Sequence, residues 1–288
     1  MIDGSTRSNG LVTAERDRWN PTPSARLVAG VLALLPALAI LIVRVGINAP
    51  VGGAFPYGRV YEPVQVAALL GPAVGALVLS IGTDDGVIRV ALAFAGAFGL
   101  LVGVGPPAAV PAAVAILGAS ILVAMAAVDR PLSPDDAAVT TVLGLFVVGV
   151  VLSMGAYVGV APGTTRSLGS LFALLAVAGS PVFVGWTRPA VLVGALVAAA
   201  FAGFGVAAPF AMGAASLIAG GAVGVSLLVL VLAVFGGVAL VTAGVHRGEV
   251  SAAIGGATVL AAGVPATVPR GLALVVGLAI LIDGWREQ

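Results

Sequence analysis

The side chains able to do acid–base or metal chemistry are few, and they stand in short clusters. His246 is the single histidine, beside Arg247 and Glu249. Such a group could act as a switch near neutral pH, but one histidine cannot build a histidine-cluster metal site. Asp84-Asp85 and Asp135-Asp136 are adjacent carboxylates that could hold a cation. Both pairs precede apolar runs, where acidic residues complement a helix start, and they are read as such. Gly159-Val160-Ala161-Pro162-Gly163-Thr164-Thr165-Arg166 faintly resembles a phosphate loop but lacks its lysine; it is read as a turn. The absence of cysteine removes disulfides, thiolate metal sites and cysteine nucleophiles. The expectation is a non-catalytic chain with no catalytic, cofactor-binding or metal site and no cofactor.

The elements that position these residues follow from composition. Of 288 residues, 60% are hydrophobic and 9% charged, against about 45–50% and about 25% in soluble domains. Mean hydropathy is +1.18. This excludes a soluble enzyme, a disordered chain and a nucleic-acid binder. It implies an all-α, polytopic transmembrane bundle. Net charge is +1, so the partners expected are the lipid bilayer and other membrane proteins or further copies of the chain, with no nucleic acid. All 13 basic residues are Arg, which fits a GC-rich, salt-adapted proteome. Gly supplies 41 residues, about twice the usual share, which suits close helix packing. Gly71/Gly75, Gly99/Gly103 and Gly220/Gly224 are G-x-x-x-G pairs, read as intramolecular contacts.

A span needs about 20 apolar residues. Charges, prolines and glycines divide the chain into about ten spans: 27–43, 64–82, 87–104, 108–128, 137–160, 167–185, 190–207, 225–244, 251–264 and 270–282. Residues 1–26 form a polar N-terminal tail, 27–282 the transmembrane domain and 283–288 the C-terminal tail. The first span is expected to stay uncleaved, since the polar lead is long for a signal peptide. A polar loop is expected from Arg44 to Pro63, holding Asn48, Pro50, Pro56, Tyr57, Arg59, Tyr61 and Glu62. Ser133-Pro134-Asp135-Asp136 reads as a helix start. Residues 208–224, with Pro209 and Gly220-Gly221, read as a loop or re-entrant piece.

An even number of spans puts both termini on one side. Arg7, Arg16, Arg18, Arg26, Arg89, Arg130, Arg188, Arg247 and Arg286 then share that side, against Arg44, Arg59, Arg166 and Arg270 on the other. The bias makes the termini cytoplasmic. Trp19, Trp186 and Trp285 fall on the richer side, and Tyr57, Tyr61 and Tyr157 on the other.

An internal likeness runs at an offset of 158. Gly86-Val87-Ile88-Arg89 resembles Gly244-Val245-His246-Arg247. Gly105-Pro106-Pro107-Ala108-Ala109-Val110-Pro111 resembles Gly263-Val264-Pro265-Ala266-Thr267-Val268-Pro269. Ten of 39 aligned positions are identical between 86–124 and 244–282, against about four expected for a composition this biased. The pattern implies a parallel four-span repeat, spans 1–4 and 7–10.

Ion-coupled transport normally uses a carboxylate near the midplane. Here each charge falls at a span end or in a loop, and Gln65 is the one side-chain amide in the spans. A scaffold or accessory subunit of a membrane complex is therefore the first expectation. A permease for a small or apolar solute is the second.

Overall fold

Among the described residues the apolar runs fold as helices, because in lipid the backbone must satisfy its own hydrogen bonds. The structure is a computed structural model and describes residues 23–48, 57–128, 136–207 and 225–286. Among these residues there are ten α-helices: α1 Pro23–Asn48, α2 Tyr57–Gly82, α3 Gly86–Val102, α4 Ala109–Val128, α5 Asp136–Tyr157, α6 Thr164–Gly179, α7 Arg188–Ala207, α8 Leu227–Arg247, α9 Val250–Ala262 and α10 Val268–Arg286. Eight are long and apolar enough to cross a membrane; α3 and α9, of 17 and 13 residues, are shorter. At about 1.5 Å per residue α9 is roughly 20 Å long, well short of a hydrocarbon core of about 30 Å.

The sequence boundaries hold closely for the end of α2 and for α4 and α7. Three differ. The loop expected up to Pro63 is already helix from Tyr57, so Arg59, Tyr61, Glu62 and Pro63 belong to α2. Gln65 Nε2 donates to the Tyr61 hydroxyl at 3.2 Å, one turn back. Arg44 does not close the first span: α1 runs on to Asn48 and contains Pro36. Prolines interrupt membrane helices less than soluble ones, since neighbouring helices and local adjustments satisfy the freed carbonyls. The sixth span breaks at Ser180, where a 3₁₀ turn, Ser180–Phe183, carries Pro181. Residues 208–224, and Ser133, Pro134 and Asp135 of the expected helix start, lie outside the described residues.

α10 sits at the centre. It packs against α1, α2, α3, α4, α5 and α9, and 72% of its apolar window is buried. It is apolar on all sides from Leu272 to Ile282, as a helix enclosed by others must be. α7 is the opposite case: it packs mainly on α8 and is 17% buried. Close crossings are made by small residues. A Cβ at Gly75 would stand 2.8 Å from the Ala29 carbonyl oxygen, and one at Gly149 would stand 2.9 Å from the Ala173 amide. Gly71 and Gly75 therefore serve the α1–α2 crossing, an intramolecular contact as expected.

Successive helices alternate in direction. Gly99, late in α3, and Ile116, early in α4, both meet the start of α10 at Leu272 and Gly271. The α3–α4 and α9–α10 turns therefore lie at the same end of the bundle, and the two hairpins run in parallel.

Candidate functional site

One pair of helical charges meets at the other end. Arg26, in the first turn of α1, is 6% exposed. Its Nε lies 2.8 Å from Asp283 Oδ2, in the last turn of α10. Asp283 keeps 24% of its side chain accessible. The sequence reading set both residues at the margins of polar tails. The structure makes them a buried ion pair joining the first and last helices. It also brings the start of α1 and the end of α10 to one end of the bundle. Nothing local in the sequence marks this pairing, because its partners stand 257 positions apart.

The α2–α3 turn lies at the same end of the bundle. Asp85 is the N-cap of α3, and its carboxylate accepts from the amides of Val87 at 2.9 Å and Ile88 at 3.1 Å. Thr83 donates to the Leu79 carbonyl. Arg89 Nε and Nη2 donate to the Thr83 carbonyl at 3.0 and 2.8 Å, closing an open carbonyl at the end of α2. Asp84 and Arg89 are exposed. Asp85 thus takes the helix-start role expected of the pair, and Asp84 stands exposed before it.

His246 is in the last turn of α8 rather than in a loop, and it is exposed with Arg247. Gly248 ends that helix at φ 74°, the left-handed conformation that favours glycine. Glu249 begins α9 without a side-chain capping bond. The 159–166 segment is an exposed turn, with Thr165 Oγ1 donating to the Pro162 carbonyl at 2.7 Å. Among the described residues no three of His, Asp or Glu come together.

Hydroxyls inside the helices mostly bond to their own backbone. Ser80, Ser120, Ser170, Ser180 and Thr258 donate to carbonyls three or four residues back. Ser153 differs: it is fully buried against Gly169 where α5 crosses α6, and its Oγ has no hydrogen-bond partner among the described residues.

The feature least expected is the α9–α10 turn. Gly263, Val264, Pro265 and Ala266 are all buried. Gly263 has φ 59° and ψ −105°, which L residues rarely adopt. Its amide bonds to the Val259 carbonyl at 3.0 Å, and the Ala266 amide bonds to the Val264 carbonyl at 2.8 Å. Irregular backbone in a membrane protein is tolerated where protein encloses it. Here the shortness of α9 draws the turn into the bundle.

No curated protein and no solved structure matches the chain. Residues 26–282, nearly the whole helical bundle, match a family described as an integral membrane family of unknown function (DUF8068), and the chain belongs to that family.

Proposed function

We propose that this multi-pass membrane protein is a non-catalytic scaffold or accessory subunit of a complex in the cell membrane, with both termini cytoplasmic. The observation that supports this best is α7. Its inner face, Ala190, Gly194 and Ala198, fits closely onto α8. Its outer face carries Leu192, Leu196, Phe204 and Val206, each at least 66% exposed. A helix held mainly by one neighbour among the described residues offers a long apolar ridge on which a partner's helix can pack. Small residues beside that ridge, Ala195, Ala199 and Gly203, permit close approach.

The experiment is purification in native lipid with a stoichiometric membrane partner identified by mass spectrometry. Leu192→Trp with Leu196→Trp should release that partner without lowering the thermal midpoint. Recovery of the chain alone, or a partner that the double variant keeps, contradicts the scaffold.

A second reading, a permease for a small or apolar solute, is supported by the enclosed α9–α10 turn. Broken backbone enclosed by protein is how transporters build sites. Solute uptake by the purified chain in proteoliposomes, abolished by Val264→Phe, would favour it. The four-span duplication is also part of our reading. Shifted by 158 positions, α4 falls on 267–286, against Val268–Arg286 for α10. The end of α3 falls on 260, against Ala262 for α9. The parallel run of the two hairpins agrees with it.

A further inference from the structure

Arg188 is the first residue of α7, a place where a cation does its own helix no good. A helix start carries partial positive charge, and the first turn of α7 contains no acidic residue to offset it. Thr187 supplies the cap, its hydroxyl accepting from the Ala190 amide at 3.3 Å. The end of α8 brings a second cation to the same turn. A Cβ built on Gly185, which has φ 85°, would stand 2.9 Å from Arg247 Nη2. Arg188 and Arg247 are both exposed. Among the described residues neither has a hydrogen-bond or ion-pair partner. Glu249, two residues past Arg247, has an interaction of its own.

Arg188 shares the outer face of α7 with the apolar ridge. At about 3.6 residues per turn, Leu192 stands one turn on from it, and Ala195, Leu196 and Ala199 follow on the same side. All of them are exposed. Ala190, Gly194 and Ala198 take the opposite side and are buried, with Gly194 against the Phe235 carbonyl of α8. One continuous face therefore presents a cation at the membrane boundary, then leucines and small residues across the membrane. Lipid chains would cover the leucines but have no use for a track of small residues, whereas a packing helix does. A second copy, related by a two-fold axis along the membrane normal, would lay its own α7 parallel on this face and set Arg188 against Arg188. The charge selects a different occupant.

We propose that the scaffold's partner is a transmembrane helix of a different protein that lies on the outer face of α7 and carries a carboxylate at the membrane boundary, paired with Arg188. This rests on the scaffold reading and adds the chemistry of the partner. A guanidinium–carboxylate pair makes charge-assisted hydrogen bonds, the stronger class, and Arg247 adds positive charge at the same turn.

The test uses the full chain in phosphatidylcholine vesicles. The sequence has no cysteine, so a donor dye is attached through Val193→Cys, an exposed position at the edge of the face. The probes are synthetic Leu/Ala peptides long enough to span the bilayer, with a Gly-x-x-x-Gly face and an acceptor dye, that differ in one boundary residue: Glu, Gln or Arg. Energy transfer reads binding. The Glu peptide should bind about tenfold more tightly than the Gln peptide, as for hydrogen bonds to a charged group, and the Arg peptide more weakly than either. Arg188→Gln should erase the preference for Glu, and Arg188→Glu should transfer it to the Arg peptide. Equal binding of the Glu and Gln peptides by the chain with Arg188 intact overturns the proposal while leaving the ridge as a docking face. Binding of no peptide contradicts the ridge as well, and with it the scaffold. Loss of the Glu preference when phosphatidylglycerol replaces part of the phosphatidylcholine would assign Arg188 to lipid phosphate. Energy transfer between two copies of the chain, abolished by Leu196→Trp, would assign the face to a second copy. Either result also overturns the proposal.

Discussion

The α3–α4 and α9–α10 hairpins have similar turn sequences and run in the same direction, yet their turns sit in opposite environments. In the first, Val104 is 85% exposed, and a 3₁₀ turn, Pro106–Ala108, leads out to α4. In the second, the corresponding turn is enclosed and Val264 is fully buried. The flanking helices separate them. α3 has 17 residues and carries its turn to the surface, whereas α9 has 13 and stops short. α4 then shows one side to the surroundings, with Val114 and Met125 more than half exposed. α10 is surrounded by six helices. A shared local pattern sets where the chain turns; helix length and neighbours set what the turn faces.

The largest expected effect comes from placing a charge in each turn. Val264→Asp should destabilise by about 3 kcal/mol or more, the scale of a charge forced into the membrane interior. Val104→Asp should stay within about 0.5 kcal/mol, as at ordinary surface positions. Thermal unfolding in detergent, compared between the two, checks this; similar losses would remove the contrast.

Next is the far end of the hairpins. At the offset of 158, Asp283 corresponds to Met125, which is exposed. Breaking a buried ion pair costs about 3–5 kcal/mol. The partial exposure of Asp283 reduces this, so Asp283→Ala and Arg26→Ala should each cost about 2 kcal/mol, with a double variant well below the sum. Met125→Ala should change little. Additive losses in the double variant would show that the two residues act independently.

The smallest effect concerns helix starts. Asp85→Ala removes the cap of α3 and should cost about 1 kcal/mol. Its exposed neighbour Asp84→Ala should stay within about 0.5 kcal/mol. Equal effects at the two positions would mean that the capping bonds contribute nothing.

Much of this was legible in the sequence because it is local. Hydropathy located the helices, Gly105-Pro106-Pro107 and Gly263 to Pro265 located the turns, and Asp84-Asp85 announced a cap. The start of α2 was misread because Pro63 and the polar Arg59 to Glu62 look like loop, while a membrane helix accommodates both. The burial of Gly263 to Ala266 was invisible, since the two turn sequences are alike and the difference lies in what packs around them. The Arg26–Asp283 pair was invisible for the same reason. Each residue alone looks like the polar edge of a span, and the bundle's closure makes them partners.

The contrast between the two turns can be measured most directly by labelling. Because the chain contains no cysteine, Val104→Cys and Val264→Cys can each be probed in sealed native-lipid discs with a water-soluble maleimide. Val104→Cys should label readily in the folded protein, and Val264→Cys only after denaturation. Equal labelling of both in the folded state would contradict the enclosure of the second turn, and with it this account of the bundle.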